Sequence, residues 1–511
     1  MSKELVTVFG VTGKQGGSVA NYVLGDEELS QQYSVRGVTH SPSISKVRAL
    51  KSKGALIIEA DLDKPSSVNA DQNWEGWAGP GDQTKWPSPS YTPKVVDVDV
   101  AIIGGGSGGI HAAIQLKDAG ASVMVIEKKD QIGGHTETYT NPSTGVVSNV
   151  GVTVFENTDL VKRYFARLGV PIITNSLETP SARYDFALGI PIPPPDDQQE
   201  VIQAAVQAYT ENVLSKYGWI DQGFLVPDPV PEELYLPFAQ FAENYNFSLS
   251  FLLSHNSTGI REISQYSRPC NSRSLYDAAL KELDSSILLS TTILNVDRHS
   301  NSTGVTLLVA QQGSSFKTIR ARKLLVAIPP IMKSIWSFDL SRQEQAIFSK
   351  FSSLGYYAGV AHVPGFNGSF TNVGAFTPFN QPIIPGNNGF IATGSPGEFL
   401  IGGGFDRGDV TDEEGKDLVR ENLATLAAVG AVPADAADTV TFPYTSDHTP
   451  YHVRVTAEDI KAGFYAKLLA LQGSRNTYWT GAAFTGHNSA LVWNWNEGTV
   501  VPGLKKDLGL E

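Results

Sequence analysis

The sequence predicts an α/β fold: a doubly wound, mainly parallel sheet with a second, α+β domain inserted into it, preceded by half of another such sheet. Three observations carry this. Residues 98–134 form a strand, a glycine turn, a helix and a second strand; residues 5–60 repeat that grammar; and strand-like segments return at 287–330 and 477–480 after long stretches of different character.

Length and composition fit this layout. A chain of 511 residues exceeds one ordinary domain, and 41% hydrophobic with 18% charged residues describes a globular protein with ample core. A net charge of −13 argues against nucleic acid and anionic membrane as partners, since both require basic patches. The single cysteine, Cys270, excludes an internal disulfide framework and a cysteine metal cluster, and no other metal-ligand set stands out. No apolar run reaches the length of a membrane span. The start, MSKELVTVFG, lacks the apolar core and cleavage site of a signal peptide, so the expected location is cytoplasmic.

The first unit, residues 1–70, reads as strand LVTVF, turn GVTGKQGG, helix, strand SVRGVTH, helix and strand ALIIEADL. Gly10, Gly13 and Gly16 are spaced to bend a chain around a phosphate. Only three strands and two helices are present, about half of a doubly wound sheet. Two readings stand: a second dinucleotide site, or an appended fragment that packs without binding. A half-sheet leaves a bare strand edge and an uncovered face, which favours the fragment. Residues 71–94, rich in Pro, Gly and Trp without periodicity, read as a linker.

The second unit is more complete. After a strand at 98–103, Gly104, Gly106 and Gly109 give G-x-G-x-x-G, and Ser107 opens a helix of about thirteen residues. The first glycine permits the tight bend, the second lets a pyrophosphate approach the backbone, and the third lets helix pack on strand. Phosphates would sit on the free amides of the helix N-terminus, where the dipole favours negative charge. Glu127 closes the second strand where a carboxylate can accept ribose hydroxyls, and Lys128 beside it is a further candidate for cofactor contact. After five intervening residues come Gly133 and Gly134, then His135 and Thr136.

The remaining chain alternates between two kinds of material. Residues 95–176, 255–334 and 456–511 have nucleotide-domain grammar. Residues 177–254 and 335–455 carry proline-broken helices, aromatics and turns, as expected of a substrate or cap domain. The glycine run 402–404 follows a strand without a helix behind it and is expected to be a turn.

The glycine turn, Glu127 and the Gly133-Gly134 doublet together resemble the extended fingerprint of FAD-binding oxidoreductases. The segment IRARKLLVAIPP and the stretch TYWTGAAFTGHNSALVW resemble two further segments of the flavin-containing amine oxidase superfamily. Within it, GGHTETY and AAFTGHNSAL resemble the fungal β-cyclopiazonate dehydrogenase group. The resemblance implies a Rossmann-like FAD-binding domain with an inserted substrate domain, FAD as cofactor, and oxidative tailoring of secondary metabolites. It also implies that Val296 meets the adenine through its backbone, and that Gly481 and Ala482 lie at the pyrophosphate and flavin. Here the sequence departs from the family, which carries Gly-Glu after that strand. Residues 1–70 resemble the start of the NmrA-like NAD(P)-binding group, and NAD(P) binding there is disfavoured because half the domain is absent.

The expected reaction removes two electrons from a C–H or C–N unit of a small hydrophobic metabolite, with oxygen as electron acceptor. Hydride transfer needs the substrate C–H held against the flavin in a dry pocket. Tyr356, Tyr357, Phe376, Tyr444, Tyr451, Trp493 and Trp495 are candidates for its aromatic walls. His135 and His487 are candidates for flavin contact, proton transfer or a covalent flavin bond, with supporting hydrogen bonds as the alternative; His448, in SDHTPYH, is weaker. A two-nucleotide reductase and a non-catalytic NAD(P)H sensor remain as alternatives.

Overall fold

The computed structural model describes residues 4–9, 20–21, 23–25, 27–39, 45–59, 94–175, 181–193, 204, 207–245, 266–268, 271–298, 304–312, 316–377 and 380–510. The chain divides into two compact units, residues 1–92 and 93–511.

In the first unit, strands Glu4–Phe9, Tyr33–Thr39 and Leu56–Glu59 form a three-stranded parallel sheet with Tyr33–Thr39 in the middle. Val35, Leu50 and Ala55 make its small core. The glycine turn at residues 10–17 and the linker tract 71–93 lie outside the described residues.

The second unit is built on two sheets. Strand Lys94–Ile103 sits at the centre of a seven-stranded sheet, parallel to Val123–Ile126 on one side and Phe316–Val326 on the other. Its first residues are exposed and its last four, Val100 to Ile103, are buried, because helices cover the sheet only toward that end. Thr477–Trp479 joins Phe316–Val326 in parallel, and Ile287–Leu288 flanks Val123–Ile126. Helix Ser107–Asp118 lies on this sheet through a face of small and apolar residues from Gly108 to Leu116. Helix Arg342–Phe348, expected in the inserted domain, packs here instead. Ile335, Phe338, Ile347 and Phe348 are all buried in the parallel-sheet core.

The other sheet is eight-stranded and mainly antiparallel, assembled from strands in both stretches 182–191 and 352–454. Helix Asp412–Ala428, started by a Thr411–Glu414 capping box, covers one face with Leu418, Leu423 and Leu426 against Phe186, Phe390 and Phe399. The glycine run 402–404 is not a turn but part of strand Glu398–Phe405. A Cβ on Gly402 would stand 2.5 Å from Tyr356 Oη, and one on Gly403 would stand 3.1 Å from Leu418 Cδ2. Glycine is therefore required by neighbours that fill the space, not by a bend. Between residues 207 and 245 short helical turns alternate with prolines. No helix among the described residues is long and apolar enough to cross a membrane.

A buried ionic cluster ties the returning segments together. Arg298, fully buried, meets Glu344 at 2.7 Å and Asp339 at 2.8 Å, and Arg475 reaches Asp339 at 2.5 Å and Glu344 at 3.1 Å. Burial would raise the Glu344 carboxyl, but its bonds to Arg298 and Ser341 hold it below the usual range. That part of its stabilisation is present above the ordinary glutamate value and is lost as pH falls through the depressed one. Arg298→Ala leaves the buried Glu344 with Arg475 as its remaining ion-pair partner and is expected to cost about 3 kcal/mol, read from urea unfolding at neutral pH. The deficit relative to wild type should shrink on acidification.

Candidate cofactor and active site

The glycine turn lies at the carboxyl ends of the parallel strands. Gly104 has φ +102° and donates its amide to Ile126 O. A Cβ on Gly109 would stand 2.0 Å from Gly104 O, so no other residue lets the helix start this close to the strand. Gly106 caps the helix without a side-chain hydrogen bond, which leaves its first amides to a ligand. Glu127 Oε2 accepts from Gly105 N at 2.7 Å and Oε1 from Lys129 N at 2.8 Å. Two amides thus fix the carboxylate, and each oxygen keeps a lone pair for a ribose hydroxyl.

The glycine doublet packs directly on this turn. Gly133 N donates to Gly105 O at 2.8 Å, and a Cβ on Gly134 would stand 3.1 Å from Gly106 Cα. Both have positive φ, +117° and +61°. The buried Tyr276 hydroxyl faces Ser107 and Thr136 without a formed hydrogen bond. Bare amides, a fixed carboxylate, touching glycines and an unpartnered buried hydroxyl together fit a dinucleotide diphosphate and its ribose.

The C-terminal segment closes the cradle. Thr480 N donates to Val326 O, after which Gly481, at φ +107°, and Ala482 pass near Ala327. Asn496 bonds Thr480 Oγ1 and Gly108 O, and Ser489 Oγ lies 3.2 Å from Ser107 Oγ. Gly104, Ala327 and Gly481 thereby meet at the ends of adjacent strands.

Four expectations are corrected by the geometry. The Val296 amide donates to Ser337 O and its carbonyl accepts from Asp339 N, with the side chain fully buried, so its backbone is not free to meet an adenine. The ladder of this strand is instead interrupted between Ile293 and Asn295. Lys128 is exposed; the next residue, Lys129, points back to Gly134 O at 3.4 Å and Glu137 at 2.6 Å. Trp493 is fully buried beneath the glycine helix, its indole donating to Ser107 Oγ at 2.9 Å and its rings packed on His111 and Tyr164, so it supports the helix and lines no pocket. Phe376 is 83% exposed, while Tyr357 and Trp495 are buried in the cores of the two sheets.

His135, Tyr444 and His487 do come together, with partners that sequence patterns did not single out. His135 stacks on His448 with ring centroids 4.4 Å apart, and Tyr451 stands 4.5 Å from His487 and 4.8 Å from Tyr356. Tyr444 Oη donates to Glu137 Oε2 at 2.9 Å, and His448 Nε2 lies 3.7 Å from the same oxygen. Burial, with His448 beside it, pushes the His135 imidazole well below its ordinary value; burial brings His487 down to about 3. His487 Nε2 also accepts from His452 N at 2.9 Å, so that nitrogen is engaged. Burial would raise the Glu137 carboxyl, but contacts with His448, Lys129 and Ser446 pull it far below the usual range, so it is ionised. Glu137 follows the doublet by three residues, and its inward direction was set by a hairpin register that the sequence did not reveal. Among the described residues no cluster could hold a metal ion.

This cradle fits a bound dinucleotide, and the fold is one that solved flavin amine oxidases share. Residues 102–168 match the NAD(P)-binding Rossmann-like domain family and residues 2–72 the NmrA-like family. Among solved structures, the chain is similar to a fatty acid isomerase from P. acnes (TM-score 0.62, 19% identity, 79% of this chain and 98% of that one). It is also similar to putrescine oxidase (TM-score 0.54, 16% identity, 80% and 99%). It is 53% identical over 453 residues to the FAD-dependent oxidoreductase dpchF of Colletotrichum higginsianum, covering 82% of this chain and 96% of that protein. It is 32% identical to β-cyclopiazonate dehydrogenase of Aspergillus flavus, covering 79% and 92%. The chain belongs to this family of FAD-dependent oxidoreductases, and its cofactor is FAD.

Glu127→Ala removes the carboxylate that the Gly105 and Lys129 amides fix and is expected to raise the FAD dissociation constant about 10- to 100-fold, measured by flavin fluorescence on the unloaded chain.

Proposed function

We propose that the chain oxidises a C–H or C–N unit of a small hydrophobic metabolite in fungal secondary metabolism, with oxygen as the electron acceptor. The observation that carries this reading is the wall of rings beside the glycine doublet: His135, His448, Tyr356, Tyr451 and His487, bounded by Tyr444 on Glu137. Aromatic faces bind a flat apolar substrate and exclude water, while the few polar groups orient it. The relative named for β-cyclopiazonate supports a metabolite substrate. Bound FAD supplies the two-electron acceptor.

The protein's own residues hold and position. Ser107 and the following amides, with Gly133 and Gly134, seat the diphosphate, and Glu127 fixes the ribose. Tyr356 and Tyr451, which pack on each other, are placed to receive the substrate's apolar face.

Purified protein is expected to be yellow, to bleach anaerobically with a hydrophobic amine or indole metabolite (β-cyclopiazonate as the first probe), and to regain colour in air with release of peroxide. A colourless protein, or one bleached by none of a broad panel, contradicts the reading. Removing residues 1–92 is expected to leave FAD content and bleaching rate unchanged; loss of bleaching with retained FAD would favour a two-nucleotide reductase.

A further inference from the structure

Removing two electrons as hydride from a C–H leaves a proton on the neighbouring N–H or O–H that some group must accept. We propose that His448 is that acceptor and that Glu137 is the positioning residue that makes it one. This rests on the oxidoreductase reading above and extends it to a residue role.

The three histidines near the doublet are not equivalent. His487 has Nε2 occupied by the His452 amide, and His135 is held neutral by burial with no carboxylate in hydrogen-bond contact. His448 alone among them stands directly beside a carboxylate, 3.7 Å from Glu137 Oε2, and is only 2% exposed. A charged carboxylate next to an imidazole favours the protonated ring, so this carboxylate stabilises the product of proton uptake.

Glu137 is built for the task. Lys129 binds its Oε1 at 2.6 Å and Tyr444 donates to its Oε2 at 2.9 Å, so it stays ionised although only 3% exposed. The His448 backbone is tied to Tyr356 O at 2.9 Å, and its ring stacks on His135. Nε2 is directed at Glu137 at 3.7 Å without a formed hydrogen bond, and Nδ1 is the nitrogen we assign to accept the proton. It lies beside Gly151, where a Cβ would come within 3.2 Å of Nδ1 and 2.4 Å of Cε1, so glycine is what lets the hairpin backbone pass this close to the ring. The groups facing the ring are Glu137 from the hairpin, His135 after the doublet and Tyr356 from the second sheet. Lys129, Tyr444, Tyr451 and His487 stand one contact further out.

The balance is complete. The substrate C–H hydrogen leaves with both bonding electrons to oxidised FAD. The adjacent N–H or O–H proton passes to His448 Nδ1, and its bonding pair forms the new double bond. The imidazolium then gives its proton to solvent.

The test uses the FAD-loaded full chain, with anaerobic bleaching by the metabolite that reduces the wild-type flavin. His448→Gln is expected to keep its FAD yet bleach at least about 100-fold more slowly, and to recover partly with added imidazole. Glu137→Gln is expected to keep its FAD and to slow bleaching by a smaller factor, because it removes the counter-charge and leaves the imidazole in place. A second measurement needs neither FAD nor substrate: 15N NMR of the unloaded chain at neutral pH should show one imidazole, absent from His448→Gln, whose nitrogen shifts change in Glu137→Gln. Wild-type bleaching in His448→Gln overturns the proposal, as does a spectrum in which Glu137→Gln changes no imidazole. Wild-type protein that is never bleached fails the oxidoreductase reading instead.

Discussion

The hydrogen bond from Gly133 N to Gly105 O, with Gly134 resting against Gly106, is the contact on which the site depends. It joins two backbone segments that are 28 residues apart in sequence and makes one surface of them. On one side lies the glycine turn with its open helix amides and the Glu127 carboxylate. On the other begins the hairpin that carries His135 and Glu137 toward the second sheet. Side chains of ordinary size cannot stand at this crossing, since the backbones are too close and the φ angles positive. The glycine turn and the hairpin are therefore positioned by one backbone contact.

Around it, the structure spends buried charge in two distinct ways. The Arg298, Glu344, Asp339 and Arg475 cluster satisfies itself completely and locks helix Arg342–Phe348 into the parallel-sheet core. Such a cluster sets geometry and has no group left to react. Glu137 is different: Lys129 and Tyr444 hold its charge, while the imidazole beside it, 3.7 Å away, has no hydrogen bond at Nε2. The distinction between a closed network and one with an open end separates the structural carboxylates from the one at the site.

The sequence was legible where function is written in local backbone demands. Gly104, Gly109, Gly133 and Gly134 each answer a steric requirement that reads off a short pattern, and Glu127 is placed by strand length alone. The order of parallel strands and the return of the chain at residues 287–330 followed from apolar runs. What escaped depends on tertiary register. Whether Trp493 faces a pocket or the underside of the glycine helix turns on how helix Ser489–Trp495 is rotated. Val296 fell on a strand whose bulge shifts which peptide is left free. Glu137 and His448 lie 311 positions apart, and no spacing rule could pair them. The glycines at 402–404 read as a turn because their cause, the Tyr356 and Leu418 side chains, is on other elements.

One comparison tests the central claim that the doublet-on-turn contact builds the FAD seat. Gly134 and Gly145 both have positive φ, +61° and +72°, but a Cβ on Gly145 meets nothing within 4 Å. Alanine at each position imposes similar backbone strain, and only at Gly134 does it also press on Gly106. Fluorescence titration of FAD into the unloaded variants should show Gly134→Ala weakened by at least about tenfold, the equivalent of losing roughly one phosphate hydrogen bond, with Gly145→Ala unchanged. Equal affinity in the two variants would contradict the account.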